Sequence, residues 1–131
     1  MNTQEKHTYW QISSINDFTL AQELYNSGRY AYSLFFCHLT LEKLLKSYIV
    51  LHEDKTPPFD HNLVRLAEMA EFILDKETIF TLTDITTFNI KGRYDDYKNE
   101  FYHKATKDYA EEYIHKTQNL IIWFKENFPK K

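Results

Sequence analysis

The chain has 131 residues, of which 43% are hydrophobic and 17% aromatic, enough to bury one core without disulfide or metal staples and too many for a disordered chain. Its formal charge is −3 with basic residues spread along its length, so there is no general electrostatic case for nucleic acid and only a local basic patch could serve. A single domain over residues 1–131 is expected.

Only two glycines and three prolines interrupt the chain, and most apolar residues recur at intervals of three and four. Residues 8–27 predict a first helix, with Ile15, Phe18, Leu24 and Tyr25 toward one side and Gly28 just past its end. Residues 30–52 predict the strongest helix, whose stripe holds Ala31, Leu34, Phe35, His38, Leu41, Glu42, Leu45 and Ile49. The lone Cys37 lies in this run and reads as a small core residue. Pro57 and Pro58 cannot continue the helix, and Asp60 is a candidate N-cap for a third helix over residues 61–74. Its stripe is Leu63, Leu66, Ala67, Ala70 and Ile73 or Leu74.

The Thr and Ile content of residues 77–90 favours a strand by propensity. Yet Ile79, Leu82, Ile85 or Thr86, and Asn89 keep helical spacing, and a strand without a partner leaves its ladder groups unsatisfied. A helix is therefore predicted. Residues 91–104 read as a loop or short helix, and residues 105–127 as a closing helix with Tyr109, Tyr113, Ile114, Thr117, Leu120, Ile121, Phe124 and Phe128 on its apolar side. The expected fold class is all-α, an up-down bundle of four long helices plus a short connecting helix. The N-terminus lacks a signal pattern and no apolar run reaches membrane length, so a cytoplasmic location without membrane contact is expected.

Six histidines invite a search for metal ligands, but none forms a His-x-x-x-His pair and one cysteine cannot make the usual zinc patterns. No metal and no cofactor are expected. His38, Glu42 and Lys46 are spaced by four and share one helix face. They form either a polar track in the bundle groove or an ordinary ion pair in its favourable order. A buried Glu42 needs partners, and an arginine from another segment would serve. Between residues 91 and 104 the chain carries Lys91, Arg93, Lys98 and Lys104 interleaved with Tyr94, Tyr97, Phe101 and Tyr102. There Arg93 can grip a phosphate with its forked donors while a tyrosine stacks on a base, and His103 can move a proton near neutral pH. The plainer alternative is a loop whose tyrosines cover the end of the bundle.

In combination these features resemble the HEPN domain family of small prokaryotic helical bundles. Residues 31–50 resemble that family's second helix, an apolar run leading into Glu42-Lys43-Leu44-Leu45-Lys46, preceded by the turn Gly28-Arg29-Tyr30. Pro57-Pro58 followed by His61-Asn62-Leu63, then Arg93-Tyr94 and a long closing helix, complete the order. The resemblance implies a homodimer, a common pairing with a minimal nucleotidyltransferase, and frequent service in toxin–antitoxin modules. Ribonuclease members carry an arginine and a histidine separated by four to six residues, whereas nine residues separate Arg93 from His103 here. Ala105 stands where some partnered toxins have a tyrosine for modification.

The reading expected from these features is a binding module for a nucleotide or nucleic-acid phosphate, a nucleotidyltransferase partner and a second copy of itself. Arg93 is the expected anion contact, Tyr94 and Tyr97 the stacking groups, and Glu42 the residue orienting the arginine. The alternatives are a metal-independent endoribonuclease toxin using Arg93 and His103 across a dimer, and a structural dimer subunit without a ligand.

Overall fold

Asn2 starts the first helix with a capping box: its side chain accepts from the Glu5 amide at 2.8 Å, and the Glu5 carboxylate accepts from the Asn2 amide at 3.2 Å. Among the described residues six helices follow in the computed structural model: α1 (Thr3–Asn26), α2 (Tyr30–Glu53), α3 (Leu63–Met69), α4 (Lys76–Arg93), α5 (Glu100–Lys104) and α6 (Lys107–Asn127). The structure describes residues 1–53, 56–93 and 100–129, with backbone alone for residues 90–93. Helices α1, α2, α4 and α6 are the long members, α3 is the short connector, and α5 is a further single turn before α6. The stretch 77–90 is helical, as its spacing predicts, and no strand occurs among the described residues.

Helix α2 is the axis of the bundle and packs against each of the other helices. It is buried around most of its circumference, which a helix can sustain only when neighbours cover every side. The core joins Leu34, Leu41, Leu45 and Ile49 of α2 to Leu63 and Leu66 of α3, Leu82, Ile85 and Phe88 of α4, and Leu120 and Phe124 of α6. Rings fill much of it. Phe72 lies edge-on to Phe124 at 4.8 Å, and Tyr48 stacks on Phe128 at 4.6 Å. Burial pushes the Cys37 thiol up to about 12, so Cys37 behaves as a core residue.

The α1–α2 contact departs from the predicted stripe. Ile15 is exposed on α1, and the residues buried there are Ser14 and Ala21. Small side chains let the two backbones approach, and their hydroxyls bond across the gap: Ser14 Oγ donates to the Thr40 carbonyl at 2.7 Å, and Ser33 Oγ to the Ala21 carbonyl at 2.8 Å. Lys43 adds an ion pair to Asp17 at 2.7 Å. Hydrophobic periodicity cannot find an interface made of small and hydroxyl residues.

Two helices end on the same hydrogen-bond pattern with different residues. After α1, the Gly28 amide bonds Tyr25 and the Arg29 amide bonds Leu24, with Gly28 at φ 81° where glycine has no steric penalty. After α3, the Glu71 amide bonds Glu68 and the Phe72 amide bonds Ala67, with Glu71 at φ 64°. Its carboxylate pairs with His52 of α2, which anchors a residue type seldom found in this conformation. This turn stops α3 at Met69 rather than at residue 74, and leaves Ile73 exposed. The N-cap of α3 is Asn62, which accepts from the Arg65 amide at 3.0 Å, and not Asp60.

Candidate functional site

His38, Glu42 and Lys46 lie one above another on the inner face of α2 and are all nearly inaccessible to water. Glu42 Oε2 accepts from Lys46 Nζ at 3.0 Å, and Glu42 Oε1 accepts from His61 Nδ1 at 2.8 Å. The Trp10 ring of α1 covers the Lys46 ammonium at 5.7 Å. Because a carboxylate only accepts, His61 must carry its proton on Nδ1. His38 donates from Nε2 to the His61 carbonyl at 2.9 Å, which leaves its Nδ1 as a buried lone pair 3.8 Å from Glu42. His61 is thus held twice, through its ring and through its backbone. The sequence leads one to expect an arginine beside Glu42; the described partners are Lys46 and the loop histidine.

Desolvation holds the His38 imidazole below its ordinary 6.5, more strongly than the bond to His61 and the Glu42 charge raise it. The unfolded chain therefore binds a proton at about pH 6.5 that the folded chain refuses until lower pH. The resulting stability is complete above pH 6.5 and is lost as pH falls below it. Thermal melts should show a lower midpoint at pH 5 than at pH 7, and His38→Gln should reduce that difference. A pH dependence unchanged in His38→Gln contradicts this assignment.

The loop before α3 builds a polar cleft on this cluster. Asp60 accepts from the Asn62 amide at 2.9 Å and receives both Nε and Nη2 of Arg65, at 2.8 and 3.1 Å. This forked bond, first, and the backbone bond together hold the Asp60 carboxyl below its usual range. Across the gap, Thr86 Oγ1 of α4 accepts from the Leu63 amide at 3.1 Å and fixes the start of α3. Between these walls lies a cleft of about 420 Å³, lined by Phe59 to Asn62, Arg65, Thr86 and Asn89. The Phe59 ring is fully exposed, the His61 side chain is 45% exposed, and Asn89 is 6% exposed with a buried Oδ1 that has no partner among the described residues.

A larger groove of about 560 Å³ runs between α1, α2 and α6. Three of its polar groups are spent on α2: His7 Nδ1 donates to the Ser47 carbonyl at 2.9 Å, Gln11 to Ser47 Oγ at 2.8 Å, and Ser14 to the Thr40 carbonyl at 2.7 Å. What remains is mostly apolar, Ile15, Phe18, Leu44, Ile121, Ile122 and Phe128, with Gln118 and Lys125 of α6 beside them.

Arg93 is the last residue of α4, four positions beyond Asn89, and its side chain lies outside the described residues. Tyr94 and Tyr97 also lie outside them. His103 is exposed on α5, which is anchored by buried Phe101 and by Tyr102 against Tyr32. The structure therefore gives the surroundings of the sequence-predicted site rather than the arginine's own contacts. His61 and Asn89 are not among the site residues that the sequence predicts. The signal for His61 is its place just after Pro57-Pro58, where the chain must turn back toward α2. Among the described residues no group of three or more His, Cys, Asp or Glu is placed to hold a metal ion, and no helix is long and apolar enough to cross a membrane.

A family model described as the HEPN domain matches residues 8–127, nearly the whole chain. The chain belongs to the HEPN domain family. This HEPN domain is also similar to the crystal structure of TT1696 from Thermus thermophilus, with a TM-score of 0.79 at 16% identity. The likeness covers 97% of this chain and 99% of that one, and at such identity it concerns the fold. A comparison with curated proteins finds no significant match.

Proposed function

We propose that this HEPN domain is a binding module for a nucleotide or a nucleic-acid phosphate, with its site at the C-terminal end of α4. Arg93 is the anion contact, and Tyr94 and Tyr97 supply stacking surfaces. Glu42 serves the site by fixing His61, and it retains lone pairs that a guanidinium could use. The observation that supports this reading is the polar cleft beside α4, where the buried Asn89, whose Oδ1 has no partner among the described residues, stands four residues before Arg93. Family membership supports the wider setting, a homodimer working with a nucleotidyltransferase partner. The exposed apolar residues Tyr9, Ile12 and Ile15 of α1 and Ile122 of α6 fit a surface covered by a second copy.

Fluorescence anisotropy with a labelled RNA oligonucleotide tests the site. The native chain should bind saturably, and Arg93→Ala should weaken binding about tenfold or more while lowering the salt slope by about one. Undiminished binding by Arg93→Ala contradicts the assignment.

A further inference from the structure

The cleft between Phe59–Asn62 and α4 has a donor and acceptor pattern of its own. Asn89 Oδ1 is buried and has no partner among the described residues, and a buried acceptor left without a donor calls for an explanation. The same carboxamide carries N–H donors beside that oxygen. On the facing wall, His61 donates an Nδ1–H hydrogen bond to Glu42, so in the matching neutral tautomer Nε2 is a lone-pair acceptor on a side chain that water reaches. Arg65 is neutralised by its forked bond to Asp60, so among the described residues the cleft offers no free cation to a phosphate.

We infer that this cleft receives an amine-bearing nucleobase, adenine first, whose exocyclic amine donates to His61 Nε2 and, once the Asn89 carboxamide turns into the cleft, to Asn89 Oδ1. The adjacent ring nitrogen of adenine accepts from Asn89 Nδ2, the pairing that a carboxamide makes with this base in other settings. Uracil presents a carbonyl oxygen where adenine has its amine, and that oxygen would face the His61 lone pair. The exposed Phe59 ring at the lip supplies a stacking surface, which a purine covers more fully than a pyrimidine. The volume, about 420 Å³, holds a base with its sugar. This inference rests on the nucleotide-binding reading and deepens it: the base lies in the cleft and its phosphate lies toward Arg93, about 6 Å further along the helix axis.

The test compares labelled oligoadenylate with labelled oligouridylate on the full chain by anisotropy. The native protein should prefer oligoadenylate by about tenfold or more. Asn89→Leu should remove the preference, and Phe59→Ala, at a fully exposed position where folding is not at risk, should weaken oligoadenylate more than oligouridylate. Arg93→Ala should weaken both alike. Equal native affinity for the two, or a preference that survives both Asn89→Leu and Phe59→Ala, overturns the base assignment. If binding still depends on Arg93 in that case, the phosphate reading stands alone; if the native chain binds neither oligonucleotide, both readings fall.

Discussion

Glu42→Ala is expected to destabilise the fold by about 3–5 kcal/mol, lowering the thermal midpoint by about 10 °C or more. The loss of packing is small, because a short carboxylate chain becomes a methyl group. The larger cost is what remains: a Lys46 residue 5% exposed whose ammonium has lost its counter-ion, and a His61 ring whose Nδ1 proton has lost its acceptor. Removing both charges separates these terms. A Glu42→Leu/Lys46→Met double variant replaces the pair by apolar groups of similar length, and it should be clearly more stable than Glu42→Ala. Urea unfolding of the three proteins reads the difference directly. A double variant as unstable as the single one would show that packing around His61, not the stranded charge, sets the cost.

Phe88→Ala should cost about 3–5 kcal/mol in the same measurement. Phe88 is 1% exposed and its ring meets Phe101 at 5.8 Å, Tyr109 at 6.1 Å and Tyr113 at 5.1 Å, so it locks α4 to both α5 and α6. Tyr113 in turn donates to Asp84 one turn earlier on α4, and burial first, with that bond, pushes its hydroxyl pKa up. The cluster holds the last turns of α4 in place, and Asn89 is the next residue along. Phe80 on the same helix is 68% exposed, and Phe80→Ala should change stability by less than about 0.5 kcal/mol. Equal effects at the two positions would contradict the packing described here.

The long helices are legible in the sequence because apolar residues recur at three and four through each, and because Gly28 and Pro57-Pro58 bound α1 and α2. For α2 the stripe is dense, and for α4 helical spacing outweighs the strand propensity of its Thr and Ile. The inner face of α1 is not legible, since Ser14 and Ala21 carry too little hydrophobicity to register while Ile15 carries much and points outward. The end of α3 is not legible either. Its stop depends on Glu71 adopting a left-handed conformation, with His52 from another helix beside it.

At the site, His38, Glu42 and Lys46 can be placed together because one helix fixes their spacing. The partner His61 sits 19 residues from Glu42 and arrives by way of a loop, so no periodicity relates the two. By spacing alone Asn89 is a member of the apolar stripe of its helix. Its burial agrees with that position, and only the structure exposes the missing hydrogen bond.

The most direct test of the central claim is an amide correlation spectrum of the native chain titrated with oligoadenylate. Binding at the end of α4 predicts shifts at the amides of His61, Asn62, Thr86 and Asn89, with Ile15 and Ile121 in the groove between α1 and α6 unmoved. Shifts confined to the groove between α1 and α6, or a spectrum that does not change, would contradict it.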